Sequence, residues 1–399
     1  MDDVTIDRLA ELLVGFGANV QPGQVVEIGS DVGKEPLTRA IAKHCYLRGA
    51  VFVGVIYHDP LLKRERILHA SDEALGFEPP WTVTRVRELG ERQGAFIGLA
   101  GAAAAHALDG LDADRLRRDR PAGDDAQAEI FRRRLVNWAV GPCPTPEWAA
   151  LAYPELSPAD GVRRLWEQMV YVCRLDCDDP VAAWQARARE LDRASDLLTA
   201  ARFDALHLEG PGTDLTIGLL PSSRWVSLGE ETSYGLEFRP NIPSEEVFTT
   251  PDPARADGVA RATRPVVVDG TVVRDLVVRF ADGRLVSAEA STGIDMMRSK
   301  IDRDAGGSRL GELALVDDSG RVGATGTTFF DTLLDENAAS HLALGSSYPS
   351  AVEDDADRER ANDSTTHLDF PVGSPDVVVT GIRGDGTRVT LLDGGRWRL

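Results

Sequence analysis

The apolar positions of the chain change rhythm part-way along. Through the first 200 residues, short β-branched apolar runs alternate with stretches of helical period. Gln24 to Gly29 (QVVEIG) predicts a strand. Glu35 to Gly49 predicts a helix, with Pro36 in its first turn and Gly49 just past its end. Val51 to Tyr57 (VFVGVIY) predicts a second strand, and Ala95 to Leu99 a third inside the most apolar run, Gly94 to Ala105. The opening MDDVTIDRLAELLVGFGANV reads as an amphipathic helix, Asp112 to Ala139 as a charged helical stretch with a solvated face, and Asp179 to Leu198 as a connecting helix. Strands alternating with helices predict a parallel sheet, covered by helices and joined by right-handed crossovers.

Beyond residue 200 the runs shorten, and Gly, Asp and Asn separate them. Strands are predicted at Ala205–Leu208, Leu215–Ile217, Pro265–Val268, Leu276–Phe280, Val377–Thr380 and Arg388–Leu392, with Asp282-Gly283 and Asp385-Gly386 placed as hairpin turns. Gly210 to Gly218 is glycine-rich but leads from one strand into another, so it reads as a turn and not as a phosphate cradle, which needs a helix N-terminus. The expected architecture is an α/β N-terminal domain with a parallel sheet over residues 1–200, followed by a β-rich α+β domain over residues 201–399.

Charge narrows the partners. The chain carries 64 Asp and Glu against 44 Lys and Arg, a formal net charge of −20, which argues against nucleic acid and against an anionic membrane surface. The Gly94–Ala105 run is far shorter than the about 20 apolar residues a membrane span needs. No basic segment precedes the apolar part of the opening helix, so a cytoplasmic protein is expected. Cys45, Cys143, Cys173 and Cys177 are too few for a disulfide framework and read as reduced thiols. Cys173 and Cys177 lack a second Cys/His pair that would make a structural zinc site. HExxH, GxSxG and Walker A patterns are absent from the sequence.

The remaining chemistry lies after residue 240, in four segments that set acids and imidazoles among apolar or small residues. These are Asn241-Ile-Pro-Ser-Glu-Glu-Val-Phe248, Arg309-Leu-Gly-Glu-Leu-Ala-Leu315, Asp335 to Tyr348 (DENAASHLALGSSY) and Asn362 to Phe370 (NDSTTHLDF). Each has an ordinary explanation: Glu312 as a hydrogen-bonded core carboxylate, His341 as a satisfied core histidine, His367 and Asp369 as solvent-facing neighbours on a strand, Glu245-Glu246 as an acidic loop. Taken together, three Glu, two His and an Asp supply the donor set of a dinuclear site for hard or borderline divalent ions. Buried carboxylates without partners or metal are costly.

The segments NIPSEEVFTTPD, SRLGELAL, FFDTLLDENAASHLALGSSYP and NDSTTHLDFPVGSPD resemble, in order, the motifs of the aminopeptidase S / aminopeptidase T family of dinuclear metallo-aminopeptidases. The first half matches more loosely, chiefly at GKEPLTRAIAKHCYLRGA and LDCDDPVAAWQ. The resemblance implies metal ligation by Glu246, Glu312, Glu336, His341, His367 and Asp369, with Tyr348 beside the metals as an oxyanion donor. By the same analogy Glu245 is the expected base and Glu246 its ligand neighbour, roles that adjacency alone would allow to be exchanged. One departure is Pro371, where the family carries a bulky apolar residue. The implied protein is a homodimer holding two divalent ions per chain (zinc, cobalt or manganese), acting on peptides with a free N-terminus. Two other classes fit the same residues: a non-catalytic, metal-stabilised peptide-binding oligomer, and another dinuclear hydrolase such as a phosphoesterase. The latter is disfavoured because no Arg or Lys stands inside the core ligand motifs to grip a phosphate, although Arg309 is close to one.

Overall fold

Alternating apolar strands and amphipathic helices build a parallel sheet in the first part of the chain. In the computed structural model, which describes residues 2–104, 106–119 and 123–399, Val25–Asp31 pairs in parallel with Phe52–His58 on one side and Ala95–Ala100 on the other. Ala95–Ala100 pairs in turn with Asn137–Pro142, giving four parallel strands. Val26, Ile28, Ile97 and Ala139 are fully buried in this sheet, and the helix Glu35–Leu47 turns Leu37, Ile41 and Cys45 inward. Lys34, just before that helix, is buried as well. Its ammonium donates to Asp31 Oδ2 at 2.6 Å and to the carbonyls of Leu99 and Gly101 at 2.8 and 2.7 Å.

The charged stretch from Asp112 departs from its prediction. It forms two helices, Ala113–Arg118 and Asp124–Arg132, and then the strand Asn137–Pro142, so Ala139 is a core strand residue. The reason is local: the stretch ends in Asn-Trp-Ala-Val-Gly-Pro, whose alternating burial fits a sheet position beside Ala95–Ala100. Ala105, at the end of the apolar run, and residues 120–122 of this stretch lie outside the described residues.

The chain divides into two compact units, residues 1–186 with 229–243, and residues 187–228 with 244–399. The expected boundary at 200 thus lies near the end of the helix Pro180–Ala201, whereas the division falls after Ala186 within it, and a short segment past 228 belongs to the first unit.

In the second unit, antiparallel strands form an eight-stranded sheet in which the predicted strands near 205, 215, 277, 378 and 388 all take part. Asp282 (φ 50°) and Gly283 (φ 73°) make the predicted tight turn between Val277–Ala281 and Arg284–Glu289. A second antiparallel sheet has the order His367–Pro371, His341–Gly345, Leu310–Val316, Glu246–Thr249. Every residue of Leu310–Val316 and of His341–Gly345 is buried. Pro371 ends the edge strand opposite His341, where a missing N–H is tolerated, and its carbonyl accepts from Thr263 N–H at 2.8 Å; the strand geometry survives the departure noted above.

Candidate metal centre

Strand register brings the candidate ligands onto one face. Residues opposite one another in an antiparallel ladder share a face, and so do residues two apart along a strand. Glu312 and Asp369 both lie opposite Ala343, His367 lies opposite Gly345, His341 lies opposite Ala314, and Glu246 lies opposite Val316. Since 312, 314 and 316, like 341, 343 and 345, are each two apart, Glu246, Glu312, His341, His367 and Asp369 converge on the same side of the sheet. Ala314, Ala343 and Gly345 leave the room that these longer side chains occupy. Gly311, at the irregularity just before Glu312, approaches so closely that a Cβ would sit 2.3 Å from the carbonyl oxygens of Gly345 and Ser346.

Two groups of donor atoms result, each with its atoms within 4.8 Å of one another: Glu246, Glu312 and His341, and Glu312, His367 and Asp369. Glu312 belongs to both. His341 Nε2 is 3.1 Å from Glu246 Oε2 and 3.9 Å from Glu312 Oε1; His367 Nε2 is 3.1 Å from Glu312 Oε2 and 3.3 Å from Asp369 Oδ1. The other ring nitrogens face backbone: His367 Nδ1 stands 2.9 Å from the Ser346 carbonyl and His341 Nδ1 3.3 Å from the Ala339 carbonyl. A carbonyl only accepts, so each Nδ1 carries a hydrogen, and Nε2 is the nitrogen that faces the carboxylates and would bind a metal on losing its proton.

Glu336 ends the short helix Thr332–Glu336 beside this face. Its carboxyl is held well above the usual range, first by burial and then by the charges of Asp369, Glu246 and Glu312. Glu246 is pushed up to about 7 by burial, against the opposing pull of His341. Burial pulls both imidazoles down, but the surrounding carboxylates win: His341 is raised by Glu246 and Glu312, and His367 lies well above its ordinary value because of Asp369 and Glu312. Asp369 is raised by burial and brought below its usual value by His367. Tyr348 packs its ring on Phe248 at 4.8 Å and edge-on to His367 at 5.4 Å. Its hydroxyl is held well above 10, by burial and then by Glu312 and Asp369. Beside Glu336 and Asp369 opens a shallow cleft walled by Pro265, Val266, Asp331 and Thr332.

Glu245 is placed differently. It directly precedes the strand Glu246–Thr249, and its carboxylate turns away from both groups of donors. Oε2 accepts from Arg187 Nε at 2.6 Å and Oε1 from the Arg321 backbone N–H at 3.1 Å. Arg187 and Asn337, which each bond Glu245, carry no signal in the sequence. Arg187 sits in an Arg- and Glu-rich helical run that looks solvated, and Asn337 follows the acids Asp335 and Glu336 without any pattern of its own.

A metal fits this donor set on structural grounds. Glu246 Oε2 and Asp369 Oδ1 are buried without a hydrogen-bond partner, a costly state for an ionised oxygen unless a cation completes it. Mixed carboxylate and imidazole donors suit borderline divalent ions. An α/β unit joined to an antiparallel unit with such a centre defines a metal-dependent peptide hydrolase, once its relatives are taken into account. The model of the thermophilic metalloprotease (M29) family matches residues 2–397, and the chain belongs to that family. It is 38% identical to Aminopeptidase T of Thermus thermophilus over 400 residues, covering 98% of each chain, and 36% identical to Aminopeptidase PepS of Streptococcus thermophilus, covering 98% of this chain and 97% of that one. The solved structure of wild-type AmpT from Thermus thermophilus superposes with a TM-score of 0.90 at 37% identity, covering 99% of each chain. Among the described residues no helix is long and apolar enough to cross a membrane.

Proposed function

We propose that the protein is an aminopeptidase that removes N-terminal residues from peptides, using two divalent ions held by Glu246, Glu312, Glu336, His341, His367 and Asp369. The observation that carries this reading is the pair of donor groups sharing Glu312, so that residues able to hold two ions would be present with Glu312 common to both. Bound zinc, cobalt or manganese would supply a Lewis acid and a hydroxide source near neutral pH. The chain's own residues supply the rest. His341 and His367 keep Nε2 aimed inward through their Nδ1 contacts to backbone. The Tyr348 hydroxyl donates to the oxyanion of the tetrahedral intermediate. The proton shed by the attacking water goes to a carboxylate on the ligand face. Glu245, expected in that role, has both oxygens engaged by Arg187 and Arg321, and this reading gives it a different one. A homodimeric assembly and a cytoplasmic setting are carried in the same proposal by the family resemblance.

The test is chelation and readdition. Protein stripped of metal and reloaded with zinc, cobalt or manganese is assayed on Leu-p-nitroanilide and on short peptides with free or acetylated N-termini, alongside elemental analysis. Two ions per chain, with release confined to free N-termini, is the expected result. Release that does not depend on metal, or equal cleavage of acetylated peptides, would overturn the reading.

A further inference from the structure

Behind the ligand face lies a buried polar network that the mechanism above does not use. Arg187 is 6% exposed and Glu245 is fully buried. The guanidinium donates through Nε to Glu245 Oε2 (2.6 Å), through Nη2 to Asp317 Oδ1 (3.1 Å), and through Nη1 to Ser319 Oγ (2.9 Å) and Glu190 Oε2 (3.2 Å). Asn337, also fully buried, accepts the Glu245 backbone N–H on Oδ1 at 2.6 Å. Its Nδ2 donates to the Leu333 carbonyl at 2.9 Å and reaches Glu336 Oε1 at 3.4 Å.

The places where this network touches the chain are informative. Glu245 immediately precedes the ligand Glu246. Asp317 immediately follows the strand Leu310–Val316, which carries Glu312 and pairs Val316 with Glu246. Asn337 immediately follows Glu336. One guanidinium and one amide therefore tie together the ends of three separate elements, each bearing a candidate ligand. A buried ion pair is a poor way to gain stability alone, because apolar side chains of like volume usually serve as well. What charged and forked hydrogen bonds add is direction.

We propose that Arg187, Glu245 and Asn337 are positioning residues that fix Glu246, Glu312 and Glu336 relative to one another and thereby set the affinity of the centre for divalent ions. The proposal rests on the reading of the centre given above. It also separates two roles for Glu245 that adjacency to Glu246 leaves confounded. A base acts on the substrate's water and leaves metal affinity alone; a positioning residue moves metal affinity first.

The experiment measures divalent-ion affinity by competition with a chromophoric chelator, in the absence of substrate, for wild type, Glu245→Gln and the double variant Arg187→Met/Glu245→Met. The double variant replaces the pair with apolar side chains of similar length, so it keeps the packing if Glu245→Gln folds poorly. Outer residues that orient metal ligands change affinity by about 10- to 100-fold when replaced. We expect zinc affinity to weaken within that range in both variants, with the metal-free double variant, in which Asp317 loses its Arg187 partner, still unfolding cooperatively at a lower midpoint. At saturating metal, kcat should fall by less than the metal affinity does, with KM unchanged. Wild-type metal affinity in a folded variant overturns the proposal, as does a collapse of kcat in Glu245→Gln at unchanged affinity, which would return Glu245 to the role of base. Wild-type protein that takes up no divalent ion overturns the reading of the centre itself, and this proposal with it.

Discussion

Glu312 is the member shared by both donor groups, and replacing it separates a metal-binding role from a structural one. The substitution Glu312→Gln keeps the size of the side chain and removes its charge. Its effect on the metal-free fold follows from the neighbours. Glu246 and Asp369 each bring an oxygen within 4.8 Å, and at an effective dielectric of about 20 a like-charge pair at that distance costs about 3.5 kcal/mol. The imidazoles of His341 and His367, 3.9 and 3.1 Å away, attract with about 4 and about 5 kcal/mol when protonated. Relief of two repulsions offsets most of the loss of two attractions, so metal-free Glu312→Gln should unfold within about 2–3 kcal/mol of wild type. With metal the balance is different. Each ion at about 1,000 times its Kd stabilises the wild-type fold by about 4 kcal/mol, a rise in Tm of about 8–16 °C per ion for a unit of this size. Without its shared carboxylate the variant should show almost none of that rise. Scanning calorimetry of stripped and reloaded proteins, with elemental analysis and peptide hydrolysis on the same samples, reads all three quantities. A metal-induced rise equal to wild type, or full metal content with full activity, would refute the reasoning. A large drop in the Tm of the metal-free variant would make Glu312 a structural core carboxylate.

Tyr348→Phe keeps the ring contacts to Phe248 and His367 and removes only the hydroxyl; loss of one oxyanion donor should lower kcat by about 100- to 1,000-fold with metal content and Tm unchanged, as steady-state kinetics would show. Lys34→Met in the first unit strands Asp31 and two carbonyls. Breaking a fully buried pair costs about 3–5 kcal/mol, and because Asp31 is 23% exposed a loss of about 2–3 kcal/mol is expected in urea unfolding. Asp304 is pushed up by burial, but bonds from the Thr365 backbone and hydroxyl, Ser364 Oγ and the Gly307 N–H outweigh this and bring it from the ordinary 3.8 to about 2. A carboxyl lowered on folding stabilises above its unfolded value and loses that contribution as pH falls, here through the window from about 4 to about 2. Acid unfolding followed by circular dichroism should therefore be shallower for Asp304→Asn than for wild type over that window.

The parallel sheet of the first unit was legible because its strands are short β-branched runs bounded by turn signals, as at Val51 to Tyr57, and its helices are bounded by Pro and Gly, as at Pro36 and Gly49. Part of the large antiparallel sheet was legible for a related reason: in Val277–Ala281 and Val378–Ile382 burial alternates along the strand, which leaves a period of two in the sequence. The sheet that bears the site was not. Leu310–Val316 and His341–Gly345 are buried along their whole length, so they show no alternation, and LGELALV or HLALG reads equally as a piece of core helix. The strand Asn137–Pro142 hid in a similar way behind a charged helical stretch. The division inside Pro180–Ala201 had no signal either, because a continuous helix carries no boundary in its periodicity.

Chemistry in the site sequences pointed further than their secondary structure did. Acids and imidazoles in apolar surroundings are anomalous wherever they fall, and that anomaly marked Glu246, Glu312, His341, His367 and Asp369 before any strand could be drawn through them. Adjacency, by contrast, does not discriminate. Glu245 and Glu246 look alike in sequence, yet at the start of a strand neighbouring side chains leave on opposite sides, so only Glu246 joins the donors while Glu245 turns to Arg187. Arg187 lies 58 residues from its partner, and nothing local distinguishes it from the other arginines of its helix. A residue that binds a ligand carries its chemistry in its own type, whereas a residue that orients another acts through a long-range contact, and that contact exists only once the chain has folded.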